Sequence, residues 1–503
     1  MGAAVAPLTV WRVSVLALAL GAAFGALATL QPVSDSDLFW HVETGRRTLG
    51  GDLPRVDVFS WTVAGAPVLA DQWLGDLLLA VARALGDWRG ILALRALAVA
   101  ALVAIVLDAA LRSRPGRPIR PIVAVAAALP AIALSRFAWT DRPELLGLVC
   151  FALLVRLLRG GDRELLWTIP LLLVWSQLHG SFALGLGLIL ASCAARALES
   201  ARDRRRFAPI AALAILVTVL TPSGLAAWTS SGGHFLIPPR FVAEEGVPDA
   251  RTLPGLLFLL TLGLVIATSM LGRRVTLREA ALLIPVAFVA LTAARHTPLL
   301  AIAAAPYFAS RWPDPLAEWR SSDERADEPA GGASGHPLSS LLATRARGSS
   351  GSVGGRARWA QTLVEGVPRP LVGGLVAIVS LFVLVLAIGL ADARVDESGY
   401  PKAALAALPS GAGVLNQYDW GGYLIEFAPA TPVFIDGRLF PYVPGVLDDY
   451  RAVIGAHPGW ESVVARRAVT AMLVRPGDAI AVRAPERGWR VAYADGIAVV
   501  LLR

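Results

Sequence analysis

Apolar residues run along this chain in long uninterrupted stretches. Segments 13–30, 91–111 and 371–390 carry little or no charge, Arg95 and Asp108 excepted, and approach the ~20 residues a helix needs to cross ~30 Å of hydrocarbon. Further apolar segments fall near 121–137, 143–158, 165–178, 180–197, 207–221, 254–271, 278–293 and 297–311. Together they predict an α-helical polytopic membrane protein with about 11 transmembrane helices. Segments 165–178 and 180–197 meet at His179-Gly180, where two crossings and a re-entrant hairpin both fit. Over 71–85 the leucines gather on one side, broken by Asp71, Asp76 and Arg83; that pattern suits a helix lying at the bilayer surface.

The pattern changes twice towards the C-terminus. Residues 312–370 are rich in Gly, Ser and Ala with mixed charge, which predicts a disordered cytoplasmic linker. Residues 393–503 hold short apolar or alternating runs at 413–415, 432–435, 470–474, 490–493 and 497–502, expected to be strands, and helical patterns at 401–408 and 461–467. At ~110 residues this part can form a core of its own. The expected organisation is a transmembrane core over 1–311 with an outer loop at 31–70, the linker, a last membrane helix at 371–392, and a small C-terminal α/β domain.

Composition agrees with a membrane chain: 55% of the 503 residues are hydrophobic and 17% charged, against about a quarter charged in soluble proteins. The net charge of +8 would suit a nucleic-acid partner. The arginines, however, concentrate in short loops at 112–120, 156–164, 196–206 and 273–278, while the alternate connections around Asp141, His179, 222–253 and Arg295-His296 are poorer in them. The positive-inside rule accounts for this without nucleic acid. It predicts a cytoplasmic N-terminus, with the 31–70 loop and residues 393–503 outside. Cys150 and Cys193 lie within apolar runs and read as small buried hydrophobes. No P-loop, CxxC, G-x-S-x-G or GxGxxG ahead of a helix is present, so nucleotide-driven, zinc and hydrolase chemistries lack support.

Candidate chemistry centres on residues 34–46, directly after the first apolar run. Asp35 and Asp37 stand two residues apart, and a helix starting at Asp37 places His41 one turn later on the same face. In one reading Asp35, Asp37 and His41 gather on a divalent cation, Mg²⁺ or Mn²⁺, or on a substrate hydroxyl, which makes His41 a candidate substrate contact. In another a carboxylate acts directly as a general base. In a third Asp35, Ser36 or Asp37 caps the helix while the aromatics anchor it at the headgroups; one aspartate can cap while the other works. Asp141, Arg142, Glu144, His179, Glu244, Glu245, Arg295 and His296 all fall on the same predicted side. Arg142 and Arg295 suit a lipid phosphate, which guanidinium binds bidentately; snorkelling or an Arg142–Glu144 pair is the plainer account. His296 joins Arg295 as a candidate substrate contact, although hydrogen-bonded packing accounts for it, and for His179, without a ligand. Residues 418–423 and 436–438 combine aromatic rings with acids and Arg438 in the manner of a glycan- or partner-contacting surface, while Gly421-Gly422 and Asp436-Gly437 are equally turn chemistry.

A D-x-D motif in the first outer loop, after the first membrane helix, resembles the GT-C superfamily of membrane glycosyltransferases, which includes protein O-mannosyltransferases, aminoarabinose lipid A transferases and oligosaccharyltransferase catalytic subunits. The string DSDLFWHVETGRR…GDLPRVDVFSW…DQWLGDLLL is similar to a large bacterial GT-C-like group, and the similarity extends to TDRPELL, WSQLHGSFALG, ARHTPLLAI and YDWGGYL…VFIDGR. It therefore covers most of the chain. Gln72 stands where that group commonly has an acid, and Phe39 replaces a frequent Trp. The resemblance implies that Asp35 and Asp37 belong to the catalytic loop, one as base or metal ligand. It also implies a polyprenyl-phosphate-linked sugar donor, an extracytoplasmic glycan, lipid or protein acceptor, and a bacterial inner-membrane location. The leading expectation is an inverting membrane glycosyltransferase. The competing ones are a non-catalytic membrane protein (lipid or polysaccharide transport, or an assembly partner with a glycan-binding outer domain) and a transferase scaffold without turnover.

Overall fold

The computed structural model describes residues 14–114, 119–199, 204–233, 243–312, 369–411 and 413–503; the linker expected at 312–370 lies almost wholly outside them. Local signals start most helices. Ser14 accepts from the Ala17 amide to cap α1 (Val15–Ala28), and Asp35 caps α2 (Ser36–Leu49). The surface helix and the crossing expected at 71–85 and 91–111 are two limbs of one element, α3 (Trp73–Leu111), which turns a corner at Gly86 and Asp87. Proline in the first turn, where no amide partner is lost, opens α4 (Pro121–Ser135) and α5 (Pro143–Leu158). Then come α6 (Asp162–Leu166), α7 (Thr168–Leu178), α8 (Phe182–Glu199), α9 (Arg204–Val217), α10 (Ala226–Gly233), α11 (Leu253–Leu271), α12 (Leu277–Thr292), α13 (Thr297–Arg311) and α14 (Arg369–Leu390).

Five of the described helices are long and apolar enough to cross a bilayer: Trp73–Leu111, Pro121–Ala138, Phe182–Glu199, Leu253–Leu271 and Gly373–Leu390. α1 is apolar but shorter. α13 is the hub of the bundle. It packs against α3, α4, α11 and α12, and every residue from Thr297 to Ser310 is buried. α11 and α14 instead expose Leu256, Leu260, Leu264, Ile378, Leu381 and Phe382, as helices facing lipid do. α1 lies along α3 through Gly21 and Gly25; an added methyl at Gly25 would come within 2.5 Å of the Ala96 carbonyl oxygen. Small residues of this kind let membrane helices approach closely.

The C-terminal residues build a four-stranded sheet, in which β1 (Val414–Asn416) pairs in parallel with β2 (Ala471–Val474), and β4 (Val499–Leu502) lies antiparallel between β2 and β3 (Arg490–Ala494). β1, β2 and most of β4 are buried on both faces; β2 and β4 are continuously apolar, as doubly covered strands tend to be, and the one polar residue, Asn416 of β1, is hydrogen-bonded to the Phe434 amide and the Ile435 carbonyl. One face, through Leu415, Met472 and Leu501, packs on Leu447, Tyr450, Val453 and Trp460. The other, through Val414, Leu473 and Val500, packs on Tyr400, Trp420, Tyr423 and, from the front of the chain, Phe39 and Phe59.

Two segments differ from their sequence reading. The strand expected at 432–435 is instead a single bridge, Val433 to Ser60 of the outer loop, and 401–408 is a 3-10 turn over Ala403–Ala407. Residues 31–70 are stitched to the C-terminal part. Val33 pairs with Val395, Trp61 Nε1 donates to the Val414 carbonyl at 3.2 Å, and Thr62 Oγ1 donates to that of Phe434 at 2.7 Å.

Candidate active site

Asp35 holds two posts. Its Oδ1 accepts from the Asp37 amide at 3.0 Å, which caps α2, and its Oδ2 receives Arg142 Nε at 2.6 Å. The same guanidinium reaches Asp37 Oδ2 at 3.1 Å and Glu244 Oε1 at 3.5 Å. Arg142 precedes Pro143, and the proline ring keeps such a residue extended; at φ −112° and ψ 160° the arginine is carried across to the start of α2. Arg295 follows on, with Nη1 2.6 Å from Glu245 and 4.0 Å from Glu244. The expected Arg142–Glu144 pair does not form: Arg142 spends its donors on Asp35, Asp37 and Glu244 instead.

These groups meet at one end of the bundle. A cavity of about 640 Å³ is lined by Asp37, His41, Arg142, Glu144, Glu244 and Arg295, with Leu53, Pro54, Val56, Val58 and Phe59 and, from the C-terminal part, Tyr418 and Gly437–Pro441 also lining it. A second cavity, of about 610 Å³, is lined by Asp35, Arg95, Arg136, Trp139, Asp141 and Arg142. Arg142 borders both, so its bridge to Asp35 and Asp37 forms part of the wall between them. His296 does not line the larger cavity; it sits half-buried in the turn before α13.

Burial raises the Asp37 carboxyl above its ordinary value, Asp35 adds to the rise, and Arg142 and His41 oppose it. Burial works against the Arg142 charge, but Asp37, Asp35 and Glu244 outweigh it and keep the guanidinium protonated. Next to it, burial pushes Asp141 up to about 7, against the pull of Arg95, whose Nη1 lies 3.0 Å away. Arg95 also donates to the Gln31 and Pro32 carbonyls, anchoring the chain that leads into Asp35.

His41 follows Asp37 by one helical turn and lines the same cavity. Its Nδ1 lies 2.6 Å from Asp76 Oδ1, with both side chains buried, and the Trp40 indole stacks on it at 3.5 Å. Gly45 admits the contact: an added methyl would come within 2.5 Å of the Asp76 carbonyl carbon. Sequence reading had Asp76 only as an interruption in an apolar helix; the one signal for it was its place in DQWLGDLLL. Among the described residues no group of three or more His, Cys, Asp or Glu is gathered to hold a metal ion. Arg142 occupies the face shared by Asp35 and Asp37, and Asp76 takes the His41 ring. The donors therefore suit an arginine-compensated acid pair rather than a divalent ion.

No family model matches the chain, and none is matched among curated proteins. Solved structures do match. Archaeal oligosaccharyltransferase AglB from Archaeoglobus fulgidus, in complex with an inhibitory peptide and a dolichol-phosphate, aligns at 13% identity and TM-score 0.54 over 91% of this chain and 69% of that one. Its apo form aligns at 14% identity and 0.54 over 93% and 70%. ArnT from Cupriavidus metallidurans bound to undecaprenyl phosphate aligns at 15% identity and 0.47 over 98% of each chain. The chain thus shares the fold of the archaeal oligosaccharyltransferase structures.

Proposed function

We propose that this protein is a GT-C-type inverting glycosyltransferase that moves a sugar from a polyprenyl-phosphate carrier to an acceptor hydroxyl or amide. The observation that carries the reading is Asp35 and Asp37, 2.6 and 3.1 Å from one guanidinium at the border of two cavities. Asp37 is the better base: its carboxyl faces the larger cavity and burial raises its proton affinity. It takes the acceptor proton as the acceptor attacks the sugar C1, and the C1–O bond breaks to release the polyprenyl phosphate. Asp35 holds the start of α2 and the guanidinium in place. A leaving phosphate gains Arg142 or Arg295 by exchanging with Glu244, the more exposed and more distant of their acidic partners. A lipid-borne donor fits a chain without nucleotide-binding motifs, and the archaeal oligosaccharyltransferase of the same fold is in complex with a dolichol-phosphate.

The cavity end is read as extracytoplasmic. At the opposite end Arg112 and Arg156 meet Asp108, Arg196 meets Asp162, Arg278 meets Glu199, and Arg273 and Arg311 meet Glu279. Arginine at that end supports a cytoplasmic face there.

The test is the double variant Asp35→Asn with Asp37→Asn, expressed in a deletion strain and read by mass spectrometry of cell-surface glycans and glycoproteins. Wild type restores the missing product; the double variant inserts normally and restores none. Product at the wild-type level from the double variant ends the transferase reading in favour of a transport or assembly role.

A further inference from the structure

The motifs near the C-terminus, VFIDGR and YDWGGYL, are turn-like sequences with no evident reason for so much glycine. The structure supplies one. A methyl group added at Gly437 would overlap the Asp37 carboxylate, with Cγ 2.6 Å and Oδ2 3.1 Å away and Oδ1 nearer still. One added at Gly422 would overlap the Ser36 carbonyl oxygen and come within 3.2 Å of its carbon. Two positions nearly 400 residues downstream of the D-x-D motif are therefore in contact with it.

Neither side of the Gly437 contact is free to retreat. Asp436 is fully buried and takes the Arg438 guanidinium at 2.8 and 2.6 Å, with Tyr442 donating to it at 2.6 Å. Arg438 in turn reaches Asp57 of the outer loop at 2.7 Å. The Gly437 carbonyl accepts from Tyr418 Oη at 3.2 Å. On the other side, Asp37 is tied by its amide to Asp35 and by its carboxylate to Arg142. Rotating its short side chain away from an added methyl breaks the arginine contact.

We propose that Gly437 is a positioning residue of the active site: its missing side chain is the space that lets the Asp37 carboxylate stand against Arg142 inside the cavity. The effect on turnover rests on the transferase reading; the effect on placement does not.

The experiment uses the full chain in nanodiscs and has two arms. The first is a thermal double-mutant cycle of wild type, Gly437→Ala, Asp37→Ala and the pair. Gly437→Ala lowers the melting temperature by at least about 2 °C when Asp37 is present, and by less than about half of that when Asp37 is replaced. An equal loss in both backgrounds overturns the inference. If Gly437→Ala does not fold, recovery in the paired variant supports the inference, and failure of the paired variant overturns it. The second arm is the glycan profile in the deletion strain. Product falls about a hundredfold in Gly437→Ala, the scale of a catalytic group misplaced by an ångström. It stays at the wild-type level in Gly477→Ala, where an added methyl meets nothing within 4 Å. Full product from Gly437→Ala, or equal loss from Gly477→Ala, overturns the inference. If deleting the wild-type gene removes no glycan, the transferase reading falls and the thermal cycle alone decides.

Discussion

A single guanidinium decides how the two aspartates behave. Arg142 opposes the rise that burial imposes on Asp37, so the base ionises over a lower pH range than it would unaided. A base must be ionised to take a proton, and its pKa is raised in the fold. Transfer therefore falls on the acid side at a pH above the ordinary aspartate value of 3.8. Replacing Arg142 by Gln removes the opposing charge. The acid limb of the pH–rate profile then moves to higher pH, and the plateau drops about a hundredfold, as on losing one charge-stabilising donor. An unmoved limb would separate Arg142 from Asp37. Asp35, Asp37 and Arg142 could be picked out in the sequence because each carries its signal locally: acids at helix-capping spacing, and an arginine at the start of an apolar segment on the same predicted side. Asp76 and Gly437 were not, because nothing around them in sequence says what they touch; only the fold brings Asp76 to His41 and Gly437 to Asp37.

The helices declared themselves through their apolar runs, and their corners did not. The two limbs of α3 were separable in sequence by charge pattern, yet the turn is made by Asp87 at φ 55° beside Gly86, which no pattern announces. The segment 432–435 has the composition of a strand, but Val433 bonds Phe59 and Trp61 through its backbone, and the Asn416 side chain of β1 takes the Phe434 amide and the Ile435 carbonyl, so no backbone ladder with β1 forms. The seam between α2 and the Gly421–Phe427 helix is held by Phe39, fully buried, whose ring meets Trp88, Tyr400, Tyr423 and Phe427 edge-on at 5.6 to 6.0 Å. Phe39→Ala is expected to cost about 3–5 kcal/mol, read as a lower melting temperature. Glu279 plays the corresponding part at the basic end, where it takes Arg273 and two donors of Arg311 at 2.8 Å each. Removing one partner of a buried pair costs about 3–5 kcal/mol, so Glu279→Gln is expected to destabilise the helix ends of α11, α12 and α13 by that amount. Urea- or heat-induced unfolding in detergent measures both.

The molecule as a whole has an acid-lined end and an arginine-lined end, and its orientation can be measured directly. Asp52 and Arg205 are both exposed and belong to opposite ends of the bundle. Cys150 and Cys193 are buried and give little background. In intact cells a membrane-impermeant maleimide is expected to label Asp52→Cys and to reach Arg205→Cys only after permeabilisation; the reverse pattern would invert the topology. The seam between the outer loop and the C-terminal part has a further consequence, in time rather than in space. Val33 waits for Val395, and Ser60 for Val433. At the ~5–20 residues per second of protein synthesis, the partners leave the ribosome roughly 20–70 s after the aspartates do. Throughout that interval a nascent chain carries its acids without the segment that completes their surroundings, so the transfer proposed for this site is expected only after residues 395–437 have docked.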